Sequence, residues 1–196
     1  MAIVKATGYG SDAVKIAKCL EKNNVDYLAV AYLFEAIQLR DNGLLSPILV
    51  LHPQIGDFNK IIEYNLEPNI YSFKILDEFL KYRVQNLNHP IHIKFNTGLN
   101  RLGFLLSDID NLTEIIISKK INVKYIFSHL GASEDLSELD FTNSQIKSFE
   151  KINNKIEKNL SRKIDKHLLN TSGILNFPKQ EYNMVRSGIG LYGYGN

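Results

Sequence analysis

A lone cysteine, almost no net charge and no long apolar run set the first limits on this chain. With only Cys19, no disulfide forms within it, which excludes a disulfide-stapled miniprotein. Cys19 precedes Leu20 in a segment that reads as helix, and it is expected to be a buried thiol in a reducing compartment. Lys and Arg number 23 against 21 Asp and Glu, a formal +2, so bulk charge gives no footprint for nucleic acid. The most apolar stretch, Gly43 to Leu51, is far short of the roughly 20 residues of a membrane span and is broken by Ser46 and Pro47. The opening MAIVKATGYG enters a strand-like run without the order of a secretory signal, so a cytoplasmic protein with no membrane partner is expected. The Asn-X-Ser/Thr triplets at Asn111, Asn159 and Asn170 are then chance matches. No linker or low-complexity tract divides the 196 residues, which read as one domain with a full core.

What is present is an alternation of β-rich runs and amphipathic segments. Strands are expected at Ala2–Ala6, Tyr27–Ala31, Pro47–Leu51, Asn69–Phe73, Ile91–Phe95, Val123–Ser128, His167–Asn170 and Met184–Ile189. Between them fall helices carrying Ala13, Ile16, Ala17 and Leu20 on one face, then Leu33–Arg40 stopped by Asn42-Gly43, Phe58–Tyr64, Ile75 to Leu80, and Ile109–Ser118. A polar loop from Gly131 to Asp140 precedes a long helix striped by Ile146, Phe149, Ile152 and Ile156, and a short helical turn is expected at Gly173–Phe177. Eight such strands indicate an α/β fold of the (β/α)8 TIM-barrel type, with an open doubly wound sheet as the runner-up. A barrel takes about 250 residues, so this chain is expected to be a barrel truncated at both ends.

In such a barrel, chemistry gathers where the strands end. Lys5 closes the first run just before Gly8-Tyr9-Gly10; a desolvated lysine there loses its proton readily and becomes a nucleophile for aldehydes. Lys94 and Arg101 flank the end of the fifth strand, His129 ends the sixth, His167 lies in the seventh and Arg186 in the eighth. Any one of these histidines, alone, is more often a satisfied core residue than a catalyst. Together the six make a shared polar centre the more economical reading. Asn170-Thr171-Ser172-Gly173 and Ser187-Gly188-Ile189 offer hydroxyl and backbone donors of the kind that cradle a phosphate near the last strands of a barrel. No Cys/His spacing matches a metal site, so no metal is expected.

These residues carry a resemblance. Val4 to Gly10 (VKATGYG) looks like the VKANAYG cofactor-lysine motif of alanine racemases, the fold-type III enzymes that use pyridoxal 5'-phosphate; Ile93 to Phe104 resembles their KxDTGMxRLGF segment, and Val185 to Gly193 their VRxGIxxYG segment. The similarity runs from Ala2 to Tyr194, and stretches such as Val25 to Tyr32 and Leu66-Glu67-Pro68 are similar to the racemase half of chains fused to a cell-wall peptide ligase. The resemblance implies that Lys5 holds the cofactor and acts as the base on the D-face of the substrate. It implies that Tyr9, Thr171 and the backbone of Gly188 and Ile189 bind the phosphate with Asn170 in support, and that Arg186 faces the pyridine nitrogen. His129 and His167 are implied as partners orienting Arg186. Arg101 is implied near the phenolic oxygen and the substrate carboxylate, with Lys94, carbamylated in some members, as its anionic partner.

Two departures stand close to the implied cofactor: Thr7-Gly8 replaces Asn-Ala, and Asn96 replaces the usual Asp. The family's second base, a Tyr on a C-terminal β domain supplied across a head-to-tail homodimer, is not among these residues; Tyr192 and Tyr194 belong to the eighth-strand motif. The resemblance therefore implies racemization of L- and D-alanine for peptidoglycan by a longer chain, with these residues inactive alone. The alternatives are a single-barrel pyridoxal-phosphate homeostasis protein and a racemase of serine or another small amino acid.

Overall fold

The computed structural model describes residues 1–195, apart from the side chain of Gln85. Seven parallel strands pair strictly in chain order: β1 (Ala2–Ile3), β2 (Leu28–Val30), β3 (Ile48–Val50), β4 (Glu67–Ile70), β5 (Ile91–Lys94), β6 (Val123–Phe127) and β7 (Asp165–His167). Each parallel step needs a crossover, and helices supply it. They are α2 (Ala13–Lys22), α3 (Leu33–Asp41), α4 (Phe58–Glu63), α5 (Phe73–Tyr82), α6 (Ile109–Ser118) and α7 (Leu139–Leu160), with α1 (Lys5–Gly10) and α8 (Thr171–Asn176) as single turns at the mouth.

The sheet curls into a barrel, as the alternation predicts. The seam is closed not by an eighth strand over Met184–Ile189 but by two isolated parallel bridges, His167 to Met184 and Ala2 to Ser187. Around them Ile3 N–H donates to Ser187 O (2.9 Å), Ser187 N–H to Met1 O (3.1 Å) and Arg186 N–H to Leu169 O (3.0 Å). The ladder breaks at Gly188, and Ile189–Tyr192 turns away as a 3-10 turn.

Other boundaries shift for local reasons. β1 stops at Ile3 because Ala6, Thr7, Gly8 and Tyr9 all take left-handed φ of 52–65°, which makes α1 a left-handed turn rather than the end of a strand. β4 starts at Glu67, and Ser72 caps α5 by accepting from Ile75 N–H, so Phe73 enters a helix. Likewise Asn170 caps α8, ending the β7 region before Thr171. Cys19 is exposed, correcting the buried reading: it lies off the stripe on which Ala13 and Ala17 are buried.

Alternation along the strands sorts the two faces. Leu28, Val30, Ile48, Val50, Ile70, Ile91, Ile93 and Ile126 pack outward against the helices in one large core. Inside the barrel the β1–β3 side is apolar, with Ile3, Ala29 and Leu49. Facing it, from the later strands, are the buried polar residues Glu67, Asn69, His92, Lys94, His167 and Arg186. An interior that is half polar departs from the usual branched aliphatic filling, and it lies directly beneath the mouth.

Candidate active site

A cavity of about 720 Å³ opens at the C-terminal ends of the strands. Lys5, Tyr9, Lys94, Arg101, His129, Asn170, Thr171, Arg186, Gly188 and Ile189 all line it, so the structure gathers the sequence-predicted residues into one place. His167 does not reach the cavity; it is fully buried behind Arg186.

Lys5 begins the left-handed turn. Three non-glycine residues in that region are costly, and one buried carboxylate holds them. Glu35, in the first turn of α3, accepts from Ala6 N–H (2.6 Å), Ala31 N–H (2.7 Å) and Tyr32 N–H (2.9 Å). Gly8, at φ 65°, packs against Ile16 and Ala13, so glycine suits a position where the related motif has alanine.

Arg186 is the most constrained residue of the site. Its guanidinium donates to Ser128 O (2.7 Å), Leu168 O (2.8 Å), His167 Nδ1 (2.6 Å) and His129 Nδ1 (3.2 Å). Burial pulls its pKa down to about 9, which still leaves it charged at neutral pH. His129 and His167 are both driven well below the usual histidine range, by burial first and then by the Arg186 charge, so they are neutral acceptors.

Lys94 is buried with Arg101, Arg186 and Lys5 as its charged neighbours; burial, then those cations, lower its pKa to about 7. None of the ion pairs among the described residues includes it. Arg101 is brought to the rim by a loop that folds back on β5, where Asn96 N–H donates to Phe104 O and Phe104 N–H to Lys94 O, each at 2.9 Å. A Cβ on Gly103 would sit 2.6 Å from the Asn96 backbone nitrogen, so that return requires glycine. Asn96 serves the loop well: its Oδ1 accepts from Gly98 and Asn100 N–H, while its Nδ2 donates to Asn100 Oδ1, which a carboxylate could not do.

Opposite Lys5, Thr171 Oγ1 accepts from Gly188 N–H (3.1 Å) and Gly190 N–H (3.2 Å), joining α8 to the seam. A Cβ on Gly188 would lie 2.6 Å from Tyr9 Oη, and one on Gly190 2.6 Å from Thr171 Cγ2. Glycine at both positions is what lets Tyr9 and Thr171 approach this closely, and Tyr9, Thr171 and Gly188 together form a cradle in the cavity wall. Asn170 accepts from Gly173 N–H and Ser133 Oγ, so it braces the cradle.

Sequence reasoning passed over His52, Tyr32 and Glu134, which also line the cavity. His52 and Tyr32 follow β3 and β2 directly, and the same strand-end rule applied to those strands would have found them. Glu134 comes from the polar loop, which carries no such signal.

A parallel α/β barrel with a cavity at its mouth lined by Lys5, Lys94, Arg101 and Arg186 defines a small-molecule site of cationic character. The profile of the family described as "Alanine racemase, N-terminal domain" matches residues 1–196, and the chain belongs to that family. Curated relatives include alanine racemase 1 of Clostridium acetobutylicum, 34% identical over 98% of this chain and 50% of its own, and alanine racemase of Thermodesulfovibrio yellowstonii, 36% identical over 100% and 52%. The chain thus spans about half the length of the curated relatives it matches. Among solved structures, alanine racemase of Clostridium difficile 630 superposes with a TM-score of 0.92 at 30% identity, covering 98% of this chain and 51% of that one. The same enzyme in complex with cycloserine gives 0.89 at 32%, covering 98% and 54%.

Proposed function

We propose that the full-length protein interconverts L- and D-alanine with pyridoxal 5'-phosphate bound at this cavity, working in the cytoplasm as a homodimer and supplying D-alanine for peptidoglycan. The observation that carries this reading is the convergence of Lys5, Tyr9, Arg101, Arg186 and the Thr171–Gly188 cradle on one cavity. The fit to the cofactor rests on the hydroxyls of Tyr9 and Thr171 beside the side-chain-free Gly188, and on the Lys5 amine and Arg186 guanidinium, all of which line the same cavity.

When bound, pyridoxal phosphate supplies an electron-accepting ring that stabilises negative charge at the substrate α-carbon. The Lys5 amine would hold the cofactor, and as a free amine it would take or return the substrate α-proton on one face. Tyr9, kept protonated because burial raises its pKa, donates to the phosphate beside the Gly188 and Ile189 backbone. Arg186, a donor that does not readily give up its proton, would be the group beside the ring nitrogen and would leave it unprotonated. That arrangement tempers the electron demand and disfavours transamination. Arg101 pairs with the substrate carboxylate, and Lys94, once carbamylated, is its anionic partner. The proton-transfer group for the opposite face comes from outside residues 1–195, and substrate choice between alanine and serine lies largely with it.

The test is to titrate pyridoxal phosphate into the full-length protein and its Lys5→Ala variant, then follow exchange of the alanine α-proton with solvent deuterium. A Lys5-dependent visible band and exchange from both enantiomers are expected. Binding without exchange would leave cofactor storage as the function; no Lys5-dependent band would overturn the reading.

A further inference from the structure

Below Arg186 the interior polar residues form one connected chain. His167 Nδ1 receives the Arg186 Nη1 donor at 2.6 Å, His167 Nε2 lies 3.2 Å from His92 Nδ1, and His92 Nε2 lies 2.8 Å from Glu67 Oε2. Glu67 also accepts from Tyr27 Oη and, at 2.8 Å, from Lys124 Nζ, whose side chain is 36% exposed at the far end of the barrel. Both histidines are completely buried.

The proton positions along this chain follow from its ends. A guanidinium only donates, so His167 Nδ1 is an acceptor and, the ring being neutral, its proton is on Nε2. That proton points at His92 Nδ1, which must therefore accept, placing the His92 proton on Nε2. There it meets the Glu67 carboxylate, an obligate acceptor. Every donor points from Arg186 toward Glu67, and no other arrangement satisfies all three contacts. Burial lowers the basicity of both rings, which keeps them neutral within the relay.

The geometry points to Glu67 and His92 as positioning residues: Arg186 sets the tautomer of His167 from one end, Glu67 takes the last proton of the relay, from His92, at the other, and the chain of contacts so completed holds Arg186 oriented at the floor of the cavity. Neither residue touches the cavity. This inference rests on the proposed cofactor site only for its consequence, not for its proton pattern.

The test is nuclear magnetic resonance of the ligand-free, full-length protein with isotope-labelled histidine ring nitrogens. Both His92 and His167 are expected as neutral Nε2–H tautomers; a proton on Nδ1 of either ring overturns the inference. In Glu67→Leu the His92 Nε2–H loses its acceptor, and its ring proton should lose the downfield shift of a hydrogen-bonded proton, while His167, still facing Arg186, keeps its Nε2–H. Glu67→Gln, whose carbonyl can still accept from His92, should restore the shift. If Glu67→Leu fails to fold, the wild-type and Glu67→Gln spectra decide. A Glu67→Leu protein that folds with the His92 Nε2–H shift unchanged also overturns the inference. In the folded variant, affinity for pyridoxal phosphate should fall about tenfold, the scale on which orienting partners act at other sites. Wild-type protein with Nε2–H histidines but no affinity for pyridoxal phosphate would sink the proposed function and leave this relay standing; binding with an Nδ1–H at His167 would do the reverse.

Discussion

The Glu35 carboxylate accepts a 2.6 Å hydrogen bond from the backbone N–H of Ala6, the residue that follows Lys5. One side chain on α3 therefore anchors the left-handed turn that aims the lysine, and it ties that turn to the end of β2 through Ala31 and Tyr32. Replacing Glu35 by Ala leaves three part-buried amides without their acceptor, and such a loss costs roughly 1 kcal/mol for each group that water reaches only in part. Urea denaturation of the full-length protein should show a loss of about 3 kcal/mol, with weaker cofactor retention. A variant as stable as wild type would mean that the turn holds itself.

Gly188→Ala places a methyl group 2.6 Å from Tyr9 Oη. Overpacking of this kind costs typically 1–3 kcal/mol, and here it also displaces the donor to the phosphate. Affinity for both pyridoxal phosphate and inorganic phosphate should drop. Adding Tyr9→Phe should recover stability but not phosphate affinity, because the clashing hydroxyl is also the ligand; recovery of both would place the phosphate elsewhere.

Lys94 has its pKa lowered from 10.5 to about 7 by burial and by Arg101, Arg186 and Lys5. Between those two values the unfolded chain binds the proton that the folded protein has released, so Lys94 makes stability rise with pH across the window. Lys94→Met should flatten that rise in denaturation curves taken from pH 7 upward. The same neutral amine is the form that adds to carbon dioxide, its nitrogen bonding to the carbon as one proton leaves. Bicarbonate should therefore increase the mass of the Lys94 peptide under native conditions, and no adduct should appear on Lys94→Met.

Exposed on α2, Cys19 should react fully with a maleimide in the native state, as read by peptide mapping. Cofactor binding should be unchanged, since Cys19 is not among the residues lining the cavity. Protection of the thiol until denaturant is added would contradict its position.

The sequence made the barrel legible because helical and strand periodicities alternate without interruption, and the strand-end rule then located Lys5, Lys94, His129 and Arg186. Local geometry was harder to read. Nothing in Lys5-Ala6-Thr7-Gly8-Tyr9 announces a left-handed turn, because it is imposed by Glu35, a residue far along the chain. The strand over Met184–Ile189 reduces to two bridges because its remaining residues are held by Thr171 and the cradle. The Cys19 reading failed by a single helical position. His92 sits in a run that reads as ordinary strand and Glu67 just ahead of one, and only the sheet order β4-β5-β6-β7 places their side chains in line with His167.

The seam has a bearing on how the protein comes into being. Tyr192 Oη donates to Ile3 O, and Met1 to Ser187 are stitched to each other across almost the entire chain. Contacts of such long sequence separation form slowly, since loop-closure entropy must be met before they contribute. On the ribosome, Lys5 emerges long before Arg186, Gly188 and Ile189, which lie far along the sequence. The nascent chain thus carries Lys5 uncommitted until those residues follow, and it acquires the cavity in one later event, when the barrel shuts.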